Sequence, residues 1–221
     1  GYGAIMGKCL RRKLEVFNYG RKIKSYLPKD IILQRSLIEH RCNNNMQALA
    51  KFIYFKILGW TIKGEFPSHL NKFVAIVVPH TSWWDFVLGL LVRKVWNEEI
   101  NYIGKKSLFD SPFGWFFKWT GGAPIDRSKT NDTVKATAQI FNEREKFRLA
   151  LSPEGTRKKV EKWKTGFYFI AKTANVPIVL VAFDYGKKEV KISEPIKPTE
   201  NQIADFEKYH AFYDGVEGLY R

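Results

Sequence analysis

An unbroken apolar run, Phe73 to Val78, ends at Pro79; its β-branched content and length predict a strand buried on both faces. The polar hexad His80-Thr81-Ser82-Trp83-Trp84-Asp85 follows, and Phe86 to Trp96 is then apolar enough for a buried helix. Trp60 to Gly64, Ile100 to Gly104, Phe147 to Leu151 and Pro177 to Phe183 repeat the strand pattern, and Val190 to Ile192 reads as an edge strand. Helical spacing appears after Asn131 (Val134, Ala138, Phe141), from Thr165-Gly166 to Asn175, and over residues 199–214. Strands alternating with helices predict an α/β fold: one domain, a central mostly parallel sheet, helices on both faces.

The amino-terminal pattern differs. Leu10, Leu14 and Phe17 share a helical face, but Gly20 and Pro28 interrupt any longer stripe. Residues 1–45 therefore read as a basic, weakly structured extension or a basic membrane-contacting arm, with the domain proper at 46–221. From Met46 the spacing sharpens: Met46, Leu49, Ala50, Ile53 and Ile57 share a face that Phe52, Phe55 and Leu58 widen and Lys51 and Lys56 rim. Such a helix either covers the sheet or lies in a membrane interface. The aromatic stretch Ser107 to Trp119 has the same two readings, core packing or a surface for a substrate tail or a bilayer.

Charge narrows the partners. The net charge is +15, and residues 1–45, with 10 Lys/Arg against 3 Asp/Glu, contribute +7 of it. Basic chains seek phosphate, on lipid, nucleic acid or a small molecule. The aromatics sit in apolar runs rather than among lysines, and no nucleic-acid motif appears, which argues against nucleic acid. No apolar run reaches membrane-spanning length and no secretory signal is recognisable, so the expectation is a cytoplasmic protein, peripherally associated with the cytoplasmic face of a membrane. Cys9 and Cys42 show no metal spacing and are expected as reduced thiols; no metal site is expected.

The hexad has a chemical use. An imidazole accepts a proton at one nitrogen when the other keeps its hydrogen, and a carboxylate on that second nitrogen fixes the tautomer. His80 at a strand's carboxyl end and Asp85 in the next helix's first turn suit a base and its orienter. His-x4-Asp alone is a weak signal. Ser152-Pro153-Glu154-Gly155-Thr156-Arg157 also follows a strand and reaches the same sheet edge if the strands are parallel. There the glycine permits close backbone approach and Arg157 offers a fork for phosphate. Arg127 follows another short strand, and a Glu154–Arg157 ion pair is the alternative reading of that turn.

Four blocks occur in order: His80-x4-Asp85; Gly122-Ala123-Pro124-Ile125-Asp126-Arg127; Pro153-Glu154-Gly155-Thr156-Arg157; and Val176-Pro177-Ile178-Val179-Leu180. Together they resemble the glycerophospholipid acyltransferases, specifically the 1-acylglycerol-3-phosphate acyltransferase family, over about residues 46–215. Pro79 and Ser152 stand where family members commonly carry Asn and Phe. The resemblance implies that His80 is the catalytic base and Asp85 its partner. It implies that Glu154, Gly155, Thr156 and Arg157 bind the glycerol phosphate, with Arg127 assisting. The implied reaction moves a fatty acyl group from acyl-CoA or acyl-carrier protein to a lysophospholipid hydroxyl, with no metal or prosthetic group. Candidate oxyanion donors are backbone N–H groups at the start of the Asp85 helix. A lyso-aminolipid acceptor, or a non-catalytic basic module on anionic membranes or nucleic acid, are the rival readings.

Overall fold

The computed structural model describes residues 29–125, 130–158, 160 and 162–220. Helix α1, Lys29–Lys51, comes first and runs 23 residues. The sequence pattern set residues 29–45 in a weakly structured extension, but they form the first part of this helix. No glycine or proline falls between residues 29 and 58, so nothing breaks the backbone once it turns. Cys42, expected as a reduced thiol, is disulfide-bonded, and Cys9 lies outside the described residues. The clustering of contacts divides the chain into Gly1–Leu49 and Ala50–Arg221, and the sheet lies wholly in the second unit.

That unit opens with a π-helical turn, Phe52–Ile57. The wider turn shifts the angular spacing that a 3.6-residue period assumes. Ala50 and Tyr54, four residues apart, face inward, while Phe52, Phe55, Ile57 and Leu58 of the expected apolar face are exposed. Next come β1 (Thr61–Lys63), β2 (Lys72–Val78), α2 (Trp84–Trp96), β3 (Asn101–Lys105), α3 (Lys106–Phe109), α4 (Gly114–Trp119) and β4 (Gly122–Ile125). They are followed by α5 (Thr130–Glu143), β5 (Phe147–Leu151), α6 (Gly166–Ala174), β6 (Ile178–Asp184), β7 (Glu189–Ile192) and α7 (Gln202–Phe212).

The seven strands are ordered β1-β7-β6-β2-β5-β3-β4. Strands β6, β2, β5, β3 and β4 are mutually parallel; β7 runs antiparallel to β6, and β1 pairs parallel to β7. The edge strands are thus β1 and β4, and Val190 to Ile192, expected as an edge strand, lies inside the sheet between β1 and β6.

Alternation along the strands fills two layers. Val74, Ile76 and Val78 of β2 and Ile178, Leu180 and Ala182 of β6 meet Phe141 of α5, Phe167 and Ala171 of α6 and Tyr209 of α7. Phe73, Ala75 and Val77, with Val179, Val181 and Phe183, meet Leu88, Val92 and Val95 of α2 and the Tyr54–Trp60 segment. A strand buried on both sides has no polar face, which is why β2 and β6 read as continuous apolar runs.

The connections place the site. The chain leaves β2 through α2 toward β3, and leaves the adjacent β5 through α6 in the opposite direction, toward β6. The two crossovers leave neighbouring strands for opposite faces of the sheet, α2 on one layer and α6 on the other, and the crevice between them at the strands' carboxyl ends is where α/β proteins bind ligands.

Candidate active site

His80 and Glu154 face each other across that crevice. The backbone N–H of His80 donates to Glu154 Oε2 at 2.6 Å, fastening the loop after β2 to the turn after β5. Glu154 therefore does not use its carboxylate on Arg157, as the ion-pair alternative supposed. Burial pushes its carboxyl above the ordinary value, against the lowering effect of the His80 N–H and imidazole.

Asp85 lies in the first turn of α2 and is almost fully enclosed. Its Oδ2 lies 3.1 Å from His80 Nδ1 and also accepts the N–H groups of Thr81 at 2.9 Å and Ser82 at 2.8 Å. Its Oδ1 accepts the hydroxyl of Tyr185 at 2.6 Å. Burial alone would raise this carboxyl, but the bonds from His80, Tyr185 and Ser82 outweigh it and hold the group below the usual carboxylate range. An ionised Asp85 only accepts, so His80 carries its hydrogen on Nδ1 and leaves Nε2 as the acceptor. The imidazole is 30% exposed, against 2% for the Asp85 side chain, so the acceptor is reachable while its orienter is dry.

The short loop between His80 and Asp85 explains the geometry. Trp84 N–H donates to Ser82 Oγ and Phe86 N–H to Trp83 O, so the helix start closes on itself and turns Asp85 back toward the strand end. The N–H groups of Thr81, Ser82, Trp84 and Phe86 are all engaged in this way, which removes them from the expected set of oxyanion donors.

Gly155 has φ +66°, left-handed backbone that favours glycine, and it sets Thr156 and Arg157 on an exposed turn beyond Glu154. Lys164 N–H donates to Pro153 O at 2.8 Å and closes the loop behind them. Arg127 lies outside the described residues; β4, which precedes it in the chain, ends on the same sheet edge as β2 and β5. No three His, Cys, Asp or Glu residues are grouped to hold a metal ion among the described residues.

Trp83 and Trp84 stack with ring centroids 4.5 Å apart and remain about half exposed. Phe86 behind them packs on Tyr102 of β3 and Phe117 of α4, so the aromatic segment after β3 adjoins the same edge. That segment splits between its two readings: Phe109 is buried, whereas Leu108, Phe113 and Trp115 are exposed. No helix among the described residues is long and apolar enough to cross a membrane.

Sequence reasoning missed Tyr185. It follows β6 directly, and only the strand order, with β6 beside β2, brings its hydroxyl to a residue 100 positions away. Its one sequence signal is its place at the carboxyl end of a predicted central strand.

The chain is similar to the 1-acyl-sn-glycerol-3-phosphate acyltransferase of Streptococcus pneumoniae, at 27% identity over 65% of this chain and 59% of that protein. It is also similar to the Escherichia coli protein of the same name, at 32% identity over 41% of this chain and 40% of that protein. It thus spans less than two thirds of the length of either relative. No solved structure matches it. The acyltransferase family matches residues 32–184, which hold His80, Asp85, Arg127 and the Glu154–Arg157 turn; this is well over half of the chain, and the chain belongs to that family.

Proposed function

We propose that the protein transfers a fatty acyl group from an acyl thioester to the free hydroxyl of a lysophospholipid, with 1-acylglycerol-3-phosphate as acceptor and phosphatidic acid as product. The observation that carries this reading is the His80–Asp85 contact at 3.1 Å, with Nε2 left over on the reachable side.

His80 Nε2 takes the proton of the acceptor hydroxyl as that oxygen attacks the thioester carbonyl. The resulting imidazolium is stabilised by Asp85. The tetrahedral intermediate collapses with loss of the C–S bond, and the proton on Nε2 passes to the departing thiolate. General-base assistance of this kind supplies about 10²–10⁴ in rate. Arg157, joined by Arg127, grips the acceptor phosphate, and the Glu154-Gly155-Thr156 turn presents Arg157 to it. Glu154 contributes by tying that turn to the His80 backbone. No metal or prosthetic group takes part, and the thioester of acyl-CoA or acyl-carrier protein is a co-substrate.

The acceptor is a membrane lipid, and the protein meets it as a peripheral protein on the cytoplasmic face. Supporting this are the exposed Trp83 and Trp84 next to the catalytic loop and Phe113 and Trp115 after β3. Indole rings favour the headgroup region of a bilayer.

The test is incubation of the purified protein with acyl-CoA or acyl-carrier protein and a panel of lyso-lipids. Acylation of 1-acylglycerol-3-phosphate above the other acceptors is expected. Preference for a lyso-aminolipid would overturn the acceptor, and inactivity with every acceptor and both donors would overturn the reaction. Arg157→Ala should raise the KM for the phosphorylated acceptor more than it lowers kcat, because phosphate is held alike in ground and transition states.

A further inference from the structure

One oxygen of Asp85 faces away from His80, and its partner belongs to none of the four sequence blocks. The Tyr185 hydroxyl donates to Oδ1 at 2.6 Å, while Oδ2 serves His80, Thr81 and Ser82. Burial, and next the hydrogen bond to Asp85 and its charge, push the phenol well above its ordinary range. It stays protonated and donates.

Tyr185 is itself held on two sides. Trp60 meets its ring edge-to-face at 5.0 Å. Its backbone N–H donates to Glu217 O at 2.8 Å, within the chain that follows α7. That chain is anchored at Tyr213, whose buried hydroxyl donates to Ile76 O of β2 and accepts Val181 N–H of β6. At its far end Tyr220 N–H reaches Thr81 Oγ1 at 3.4 Å. Between them Gly218 passes so near the catalytic loop that an added Cβ would lie 2.7 Å from Thr81 Cγ2. The same strap thus touches the residue after His80 and the residue that holds Asp85.

We propose that Tyr185 is a positioning residue for the His80–Asp85 pair, and that residues 213–220 form the strap that keeps Tyr185 and the His80 loop in register. The proposal deepens the acyl-transfer reading and rests on it only for its kinetic consequences. A carboxylate served by four donors is fixed in angle and has its charge shared out. Loss of the tyrosine hydroxyl leaves Oδ2 pinned by Thr81 and Ser82 and concentrates charge toward His80. The imidazolium is then better stabilised, so the His80 midpoint in the variant should move up, while a carboxylate able to swing about its pinned Oδ2 orients the ring less well.

The experiment compares wild-type protein with Tyr185→Phe, which keeps the ring against Trp60. The His80 imidazole is titrated by NMR, a readout that needs no substrate and survives a wrong assignment of the reaction. The expected result is an upward move of the His80 midpoint, with kcat reduced about tenfold and KM within a factor of two. An unmoved midpoint would reduce Tyr185 to packing and overturn the proposal, whatever the activity. Gly218→Val is the second variant, chosen to displace the strap without touching the hydroxyl. The same upward move is expected; a wild-type titration in that variant would overturn the strap's part. Absence of acyl transfer in the wild-type protein, with the titration shifts intact, would count against the reaction and not against Tyr185.

Discussion

Arg148 sits near the start of β5 and Glu154 just beyond its end, and the fold treats these two charges in opposite ways. Arg148 is wholly enclosed. Its guanidinium donates to Leu70 O and Ser68 O, each at 2.8 Å, and pairs with Glu98. Its plane lies 5.0 Å from the Phe66 ring and 5.7 Å from Phe73. Glu154, at the other end, and Asp85 beside it are held by N–H and O–H donors on one side and give onto an exposed turn and a reachable imidazole on the other. A charge with every partner inside the protein ties loops together. A charge held from one side only keeps a direction in which chemistry can occur. The largest effects of substitution should therefore fall on different observables at the two ends.

At the carboxyl end the observable is rate. His80→Ala should lower acyl transfer by about 10²–10⁴. Its side chain stands on a loop and is 30% exposed, so unfolding should move by less than about 1 kcal/mol. Near-normal turnover on the accepted lyso-lipid would dissolve the contrast between the two ends.

At the amino end the observable is stability. Arg148→Met strips two backbone carbonyls and Glu98 of their buried partner. The expected loss is about 3 kcal/mol, or roughly 6–12 °C in Tm for a chain of this size. Turnover per folded molecule should survive. Lost turnover in a protein that still melts normally would show that the two ends communicate.

Much of this arrangement was legible in the residues, and what escaped has a common cause. Continuous apolar runs announced β2 and β6, because strands buried on both faces have no polar alternation to lose. The placing of His80, Asp85 and the Glu154 turn at one sheet edge was legible because each borders a predicted strand or helix. Tyr185 and the Glu154–His80 bond were not visible, since both depend on which strands are neighbours, and periodicity carries no strand order. Arg148 looked like any alternating polar residue of a strand. In the stretch 52–58 nearly every residue is apolar, so the pattern did not mark Tyr54 as the one that turns inward while Phe52, Phe55, Ile57 and Leu58 face out.

The two carboxyls of the site sharpen the comparison through pH. Asp85 has a folded value below the ordinary one. Its ionisation therefore contributes stability above the ordinary carboxylate value, and this is lost as pH falls through the lower folded value. Glu154 is raised, so its contribution is present below the ordinary value and lost as pH rises through the folded one. Asp85→Asn should destabilise at neutral pH, with the deficit shrinking in acid. Glu154→Gln keeps an acceptor for the His80 N–H and should match or exceed wild type at neutral pH, with any advantage fading in acid. Denaturant unfolding across a pH series reads both. Equal losses at neutral pH would show that the two carboxyls are held alike.

A third region is the segment before the sheet, where buried and exposed apolar residues alternate closely. Ala50, Tyr54 and Trp60 face the core, and Tyr54 also donates its hydroxyl to Thr61 O at 3.0 Å. Phe52 and Phe55 are 57% and 40% exposed, with Lys51 and Lys56 beside them. The core clusters of the described residues begin at Ala50, so the proposed domain 46–221 keeps all of their anchors. A protein starting at Met46 should stay active on detergent-dispersed substrate. It should lose only salt-sensitive vesicle binding, because each basic residue near an anionic bilayer contributes up to about 1 kcal/mol that salt screens. Phe52→Ser with Phe55→Ser removes apolar contact instead. At about 1.5 kcal/mol for each ring, vesicle binding that persists in high salt should fall roughly a hundredfold. Sedimentation with anionic vesicles at low and high salt separates the two terms. Failure of the Met46 protein to fold would assign residues 29–45 of α1 to the domain. Unchanged high-salt binding by the serine variant would turn the test to Trp83, Trp84, Phe113 and Trp115, exposed near the carboxyl ends of the strands.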